Sequence, residues 1–154
     1  TVINDPVEIA ENFLTKMLLY MNIKANVSIK REGCQLYVDI VDISTSDMGI
    51  IIGKRGNTLN AIQYLVSLSV NKNREGFIKV LVDVKGYRKK REDTLIKLAN
   101  KMAQKSKVIR KPIKLEPMNP YERRIIHSAL QNVSGVTTYS EGEDPYRRVV
   151  IQAK

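Results

Sequence analysis

Residues 50–59 read Ile-Ile-Ile-Gly-Lys-Arg-Gly-Asn-Thr-Leu and lie between two segments whose apolar residues recur at helical spacing. Gly53 and Gly56 let the backbone turn sharply and leave no side chain between the chain and a ligand. Lys54 and Arg55, between them, are cationic. A helix would begin directly after the second glycine, so its free N–H groups and the positive end of its dipole lie beside the same loop. The loop therefore predicts a site for phosphate groups.

The sequence on both sides of this loop predicts the element order α-β-β-α-α-β. Asp5 and Pro6 are typical of a helix start, and helical spacing continues to residue 20. Two alternating strands follow, with Glu32-Gly33 as their turn and Cys34 on the apolar face of the second strand. A strand at residues 77–84 completes the order. The helix after the loop is expected to bury Leu59, Ile62, Leu65 and Val66.

After residue 84 the pattern restarts with the order α-β-α-β-β. The first helix is predicted over residues 87–107. The segment from Pro112 to Pro117 can be a strand only at a sheet edge, because proline lacks the N–H that a central strand donates. Asn119 followed by Pro120 predicts the start of the next helix. The last two strands are predicted at residues 136–140 and 147–151.

The change of pattern near residue 85 predicts an α+β protein of two domains, residues 1–84 and 85–154, each a small three-stranded sheet packed with helices. The two halves also differ in charge. Residues 1–84 hold nine basic and nine acidic side chains, whereas residues 85–154 hold 17 and 7, which accounts for the net charge of +10. A neutral half joined to a basic half indicates that the basic half meets a polyanion. A basic surface that is merely solvated remains the alternative.

Cations concentrate on the long helix predicted at the start of the second half. Lys97 and Lys101 are four residues apart and lie on one stripe, while Arg88 and Arg91 lie near its first turn. Positive charge there opposes the helix dipole, so the sequence carries a local cost that an anionic ligand would relieve. For the stripe itself, solvated lysines are an equally good interpretation.

Arg123 and His127 are also four residues apart and are expected to share a polar stripe on a later helix. Arginine offers a planar fork of donors for phosphate, and a neutral histidine can stack or donate. The apolar side of this helix is assigned to Ile125, Ile126, Ala129 and Leu130, so neither polar residue is expected to be needed in the core. A lone histidine is otherwise more often structural than functional.

Several classes of protein are disfavoured by the sequence. Cys34 has no second cysteine to pair with, and we expect it to be a buried, inert thiol. No His, Cys, Asp or Glu group has the spacing of a metal site, and His127 has no nucleophile at a suggestive local spacing. The apolar runs are too short to span a membrane, and the chain does not open on a secretory leader. We therefore expect a cytoplasmic protein with no catalytic residue, metal or cofactor.

The glycine loop and the elements around it resemble the KH domain, in the type II arrangement, over roughly residues 5–84. In that domain a loop of two glycines separated by two residues clamps the backbone of about four nucleotides. The resemblance implies that residues 53–56 contact phosphates. It also implies that Ile51 or Ile52 lies near the bases, in an apolar groove beside the loop.

The second half resembles the R-three-H domain, which binds single-stranded nucleic acid and is named for an Arg and a His with three residues between them. The resemblance lies in residues 119–127, and residues 87–91 and 145–151 fit the same domain. A KH domain followed directly by this module is similar to the Jag family of bacterial proteins, encoded beside a membrane-protein insertase. From the basic helix and the resemblance together, the RNA contacts expected for this half are Arg88, Arg91, Lys97, Lys101, Arg123, His127 and Arg147.

The resemblance implies a non-catalytic protein that binds single-stranded RNA, or single-stranded DNA, and acts as a post-transcriptional regulator. Direct insertion into a membrane is not expected. The alternative is a protein-interaction adaptor whose partner is a small KH-domain protein or a second copy of the chain. In that alternative the role is linked to membrane-protein insertion or to sporulation.

Overall fold

The computed structural model describes residues 4–154, and its internal contacts group the chain into two compact units, one ending at Arg88 and one beginning at Lys89. Each unit has its own hydrophobic core. That residues 1–84 and 85–154 form two domains, each able to fold independently, stays a prediction. Residues 1–3, with which the first of them begins, lie outside the described residues.

The first unit has the predicted order of helices and strands, with one additional turn of 3-10 helix in the glycine loop. Its three-stranded sheet has the order β1-β2-β3, in which β1 runs antiparallel and β3 parallel to β2. The elements are α1 (Pro6–Tyr20), β1 (Asn26–Glu32), β2 (Gln35–Val41), α2 (Thr45–Ile52), the 3-10 turn (Lys54–Gly56), α3 (Asn57–Asn71) and β3 (Lys79–Val84).

Local capping and apolar spacing explain why these helices form. The Asp5 carboxylate accepts a hydrogen bond from the Val7 N–H at 3.1 Å, and Pro6 occupies the first helical position of α1. Ser44 caps α2 in the same way through the Asp47 N–H, at 3.2 Å. Helices α1 and α3 contact each other and the sheet, and their apolar rows form a buried core with the strands. Ile51 of α2 belongs to the same core, so the loop between α2 and α3 is anchored on both sides.

Two sequence predictions within this unit are wrong. Cys34 is exposed, because the hairpin turn is Gly33-Cys34 and Glu32 pairs directly with Gln35. Gly33 supplies the positive φ of this two-residue turn, at 59°. Leu65 is 46% exposed, because the buried row of α3 follows Leu59, Ile62, Val66 and Val70 and leaves it on the outer side.

The second unit also has the predicted order. Its elements are α4 (Tyr87–Ile109), β4 (Ile113–Lys114), α5 (Pro120–Leu130), β5 (Val136–Glu141) and β6 (Arg148–Ala153). The first two residues of α4 belong to the first unit. The antiparallel sheet has the order β4-β6-β5, so the short strand flanked by prolines is at an edge, as predicted. None of the helices described between residues 4 and 154 is long and apolar enough to cross a membrane.

Candidate nucleic-acid interface

The glycine loop, residues 53–56, reverses the chain between α2 and α3 through three backbone positions with positive φ. These are Gly53 at 69°, Arg55 at 56° and Gly56 at 76°. Positive φ costs a residue with a Cβ roughly 1–2 kcal/mol, so the two glycines remove most of this strain. No side chain of the described residues caps the start of α3. The loop therefore brings a helix N-terminus and two cationic residues together.

Steric contacts give each glycine a second, independent reason to lack a side chain. A Cβ added at Gly53 would lie 2.1 Å from the Thr58 hydroxyl oxygen. A Cβ added at Gly56 would lie 2.9 Å from a ring carbon of Tyr87. Both distances are shorter than real Cβ contacts, so a side chain at either position would force Thr58 or Tyr87 to shift. At Gly56 the ring of Tyr87 lies where a Cβ would project.

The side chains around the loop differ in how much of them a ligand could reach. Lys54 is exposed and Arg55 is half-buried. Ile51 has no exposed surface and belongs to the core, whereas Ile52 is half-buried. Ile50, which is not among the predicted site residues, is 55% exposed. The apolar surface beside the loop is therefore formed by Ile50 and Ile52.

In the second unit a cleft of about 480 Å³ opens between α5 and β5, and we call it the α5–β5 cleft. It brings together three of the predicted site residues: Arg123, His127 and Arg147. Arg124, which was not among them, also lines it and is exposed. Hydroxyls of Thr138 and Ser140 complete the wall on the strand side.

His127 is fixed in this cleft by two hydroxyl groups. Its Nδ1 lies 2.7 Å from Thr138 Oγ1 and its Nε2 lies 2.8 Å from Ser140 Oγ. These partners are two residues apart on β5 and so share a face of the strand. Burial, followed by the positive charges of Arg123 and Arg147, lowers the pKa of His127 below its ordinary value of 6.5. The ring is therefore neutral at pH 7 in the free protein, and one nitrogen donates while the other accepts.

Arg123 is not on the exposed stripe that the sequence suggested. It is 8% exposed and falls in the buried row of α5, three residues before Ile126 and seven before Leu130. Its Nη1 donates to the backbone carbonyl of Met118 and, at 2.8 Å, to the Asp144 carboxylate. These bonds fasten α5 to the preceding segment and to the β5–β6 loop. The expectation that the core does not need Arg123 is wrong.

Arg124 lies on the exposed row of the same helix, with Pro120, His127, Ser128 and Gln131 around the cleft. It has no hydrogen-bond or ion-pair partner within residues 4–154. The signal that could have identified it is periodicity. Positions three and seven residues after Arg123 are apolar, which assigns Arg123 to the buried row and its neighbour to the exposed one.

Two cations predicted on α4 are used within the fold. Arg88 Nε donates to Val82 O at 2.8 Å, and its Nη1 donates to Asn60 Oδ1 at 2.7 Å. Arg91 donates twice to the Glu122 carboxylate, with Nη2 at 2.8 Å, and Glu122 is itself buried. Lys97 and Lys101 are exposed, and no ion pair involves them within the part of the chain that the structure describes.

No group of three His, Cys, Asp or Glu side chains within residues 4–154 is arranged to hold a metal ion. The polar groups of the α5–β5 cleft are instead guanidinium, imidazole, hydroxyl and amide groups. Such a set offers mainly hydrogen-bond donors to an incoming ligand. Its chemistry suits an anion.

Comparison with known proteins gives matches to both units. The profile of the KhpA/KhpB KH domain matches residues 7–84, and that of the R-three-H domain matches residues 93–153. RNA-binding protein KhpB of Clostridium symbiosum is 46% identical over 145 residues, which is 94% of this chain and 65% of the relative. RNA-binding protein KhpB of Bacillus subtilis is 35% identical over 97% of this chain and 72% of the relative.

A third relative, RNA-binding protein KhpB of Lactiplantibacillus plantarum, is 40% identical over 72% of this chain. The match covers 34% of that relative. The matched segments therefore cover between a third and three quarters of the length of these three proteins.

Replacing Gly53 with Ala should lower the free energy of unfolding of the first unit by about 2–4 kcal/mol. The reasons are the positive φ and the collision with Thr58. Gly49→Ala is the matched control, because Gly49 is helical and has open space around it. That variant should gain about 0.5–1 kcal/mol. Urea denaturation followed by circular dichroism measures both, and equal effects would contradict the steric argument.

Arg123→Ala and Arg124→Ala should separate folding from surface charge in the second unit. Loss of Arg123 leaves the Met118 carbonyl without its charged donor and should lower the free energy of unfolding by about 2–3 kcal/mol. Loss of Arg124 should change it by less than about 0.5 kcal/mol. Denaturant titrations of the two variants measure these changes. A destabilised Arg124→Ala variant would refute the assignment of Arg124 to the exposed row of α5.

His127 should make the stability of the second unit depend on pH. Because its pKa is lowered in the folded state, the unfolded chain binds the proton more readily. Stability is then full above pH 6.5 and declines as the pH falls below it. His127 is the single histidine of the chain, so His127→Gln should remove this component. Denaturant titrations at pH 7.5 and 5.5 would test it, and an unchanged pH dependence in the variant would count against it.

Proposed function

Since this chain belongs to the KhpB family of bacterial proteins, also named Jag, we propose that it binds single-stranded RNA without catalysing a reaction on it. Two surfaces carry the binding. One is the glycine loop with Lys54, and the other is the α5–β5 cleft with Arg124, His127 and Arg147. The role that follows is that of a post-transcriptional regulator in the cytoplasm, which needs neither a metal nor a cofactor.

The observation that carries the proposal is the composition of the α5–β5 cleft. Three arginines and His127 line it, and none of the described residues that line it is an aspartate or a glutamate. Arg147 is held in position by a hydrogen bond from its Nη1 to Gly142 O at 2.7 Å. The Asp144 carboxylate, outside this lining, pairs with Arg123. The guanidinium groups of Arg124 and Arg147 are therefore the cationic donors that favour a phosphate group in this concave site.

The other contributions follow from exposure. Lys54 projects from a backbone that packing fixes, so it needs little reordering to meet a phosphate. Lys97 and Lys101 extend the positive surface of α4 and would add affinity that does not depend on sequence. Arg88, Arg91 and Arg123 act indirectly in this proposal, since their guanidinium groups hold the fold.

A second candidate function is an adaptor that binds another protein, and one observation favours it. Tyr64, Leu65 and Leu68 are between 46% and 64% exposed and lie on one side of α3. A group of exposed apolar side chains is typical of a protein-interaction surface. The partner in this candidate is a small KH-domain protein or a second copy of the chain. Sedimentation of the chain alone, and mixed with such a partner, tests it.

Lys54→Glu and Arg124→Glu should each weaken binding to single-stranded RNA by about tenfold. Both side chains are exposed, so the variants should stay folded. Fluorescence anisotropy with an unstructured RNA of about 12 nucleotides, at several salt concentrations, measures the effect. Each variant should also reduce the slope of log affinity against log salt by roughly one unit, because one phosphate contact is lost.

Lys16→Glu is the matched control for these charge reversals. Lys16 is exposed on α1, and its replacement by Glu changes the net charge by the same amount as the other two variants. Its affinity for RNA should stay close to that of the wild type. If all three variants weaken binding equally, the RNA responds to net charge and not to the two proposed surfaces. Wild-type affinity in a folded Lys54→Glu, Arg124→Glu double variant would overturn the proposal.

A further inference from the structure

The second unit has another opening, between α4 and α5, which neither the family resemblance nor the proposed function uses. This α4–α5 groove has a volume of about 390 Å³. Its apolar wall is formed by Ile96, Ile125 and Ala129, all half-buried. Tyr121 also lines it, and 63% of that residue is exposed. The groove is therefore an apolar recess with a largely uncovered aromatic ring.

The α4–α5 groove adjoins the α5–β5 cleft. Arg124 and Ser128 line both, because they lie on the row of α5 that separates the two openings. A strand of RNA that places a phosphate against Arg124 from the cleft thus has an apolar recess directly beside that phosphate. This arrangement matches single-stranded RNA, in which each phosphate is followed by a base. The charge and the position of Arg124 favour a nucleotide, rather than an apolar peptide, as the occupant of the groove.

Tyr121 supplies the surface on which a base can stack. Aromatic rings stack on unpaired bases with little regard to base identity, since every base has a π-face. The Tyr121 side chain has no hydrogen-bond partner within residues 4–154, so stacking does not compete with an internal contact. This ring would raise affinity for any base and select none.

Selectivity would come from Glu92 on the opposite wall. Its side chain is half-buried in the groove and has no hydrogen-bond or ion-pair partner within the described residues. An ionised carboxylate only accepts hydrogen bonds, and it does so through two oxygens side by side. Guanine presents two adjacent donors, N1–H and N2–H, on its Watson–Crick edge. Adenine, cytosine and uracil each place an acceptor next to their donor and so match a carboxylate less well.

We propose that the α4–α5 groove is a base-binding subsite that selects guanine. Tyr121 stacks on the base, Glu92 accepts two hydrogen bonds from its Watson–Crick edge, and Arg124 holds the adjoining phosphate. This proposal rests on the proposed RNA binding, and it adds a sequence preference to it.

The test uses the full chain and single-stranded oligouridylates of about 10 nucleotides that carry one central guanine, adenine or cytosine. Fluorescence anisotropy measures the affinities. The wild type should bind the guanine-containing RNA about tenfold more tightly than the adenine-containing one. Tyr121→Ala should weaken binding to every RNA by about tenfold, and Tyr121→Phe should retain the affinity because the ring remains.

Glu92→Gln is the variant that isolates selectivity. Its amide places a donor against guanine, so the preference for guanine over adenine should disappear. Removing a negative charge should also raise affinity for every RNA slightly. Glu75→Gln is the matched control for that charge effect, because Glu75 is exposed in the first unit. The preference of the Glu75→Gln variant for guanine should equal that of the wild type. Tyr20→Ala, at an exposed position of α1, is the control for Tyr121→Ala.

The outcomes separate this proposal from the one on which it rests. If RNA binds with the expected salt dependence and Lys54→Glu weakens it, but Tyr121→Ala binds like the wild type, the subsite is refuted and RNA binding stands. If Tyr121→Ala weakens binding but Glu92→Gln keeps the guanine preference, the role of Glu92 is refuted. If no RNA binds with a salt-dependent affinity, both proposals fail together. Thermal unfolding of each variant verifies that it is folded.

Discussion

The first unit depends on a steric constraint in the glycine loop between α2 and α3, where a Cβ at either of two positions would collide with a neighbouring side chain. Thr58 leaves no room at Gly53, and Tyr87 leaves none at Gly56. Both helices contribute buried residues to the same core, so a displaced loop would also displace that packing. The direction in which Lys54 projects is therefore set by the protein itself. A ligand meets a loop that is already formed, and little ordering entropy is lost on binding.

In the second unit, the position of the helix beside the proposed site depends on the buried Arg123. Arg123 connects α5 to the segment before it and to the loop between β5 and β6, through Met118 O and the Asp144 carboxylate. These contacts hold one wall of the α5–β5 cleft, and the two hydroxyls that hold His127 belong to the other. Charged side chains thus divide into those that build the cleft and those, such as Arg124, that face its opening. Only the second group is available to a ligand at no cost to folding.

The order of the helices and strands could be predicted from the sequence because caps, turns and apolar spacing are local signals. Asp5 with Pro6, the loop at residues 53–56 and the prolines around β4 each act over a few residues. The partners of the arginines could not be predicted in this way. Arg88 reaches Asn60 and Arg91 reaches Glu122, at separations of 28 and 31 residues, and nothing in the local pattern distinguishes such an arginine from a free one.

For Cys34, Leu65 and Arg123, the local sequence pattern does contain the information that corrects the wrong prediction. Glu32 pairs with Gln35 across a two-residue turn, which moves Cys34 out of the strand. A strict count of the buried row in α3 assigns Leu65 to the outer side. In α5, apolar residues three and seven positions after Arg123 already indicate its burial. In each case a shift of one residue changes the face of the helix or strand on which a side chain lies. The helices and strands were therefore easier to predict than the side chains that each of them buries.

The burial of Arg123 also has an evolutionary consequence. A residue whose loss is expected to lower the free energy of unfolding by about 2–3 kcal/mol is retained by purifying selection for stability, whether or not the protein still binds nucleic acid. Arg123 would thus persist in a descendant whose binding activity had decayed. Exposed positions such as Arg124 carry no such obligation and are free to drift once selection on the ligand is relaxed. Loss or retention of the exposed arginine, and not of the signature one, is what would record the history of binding in this lineage.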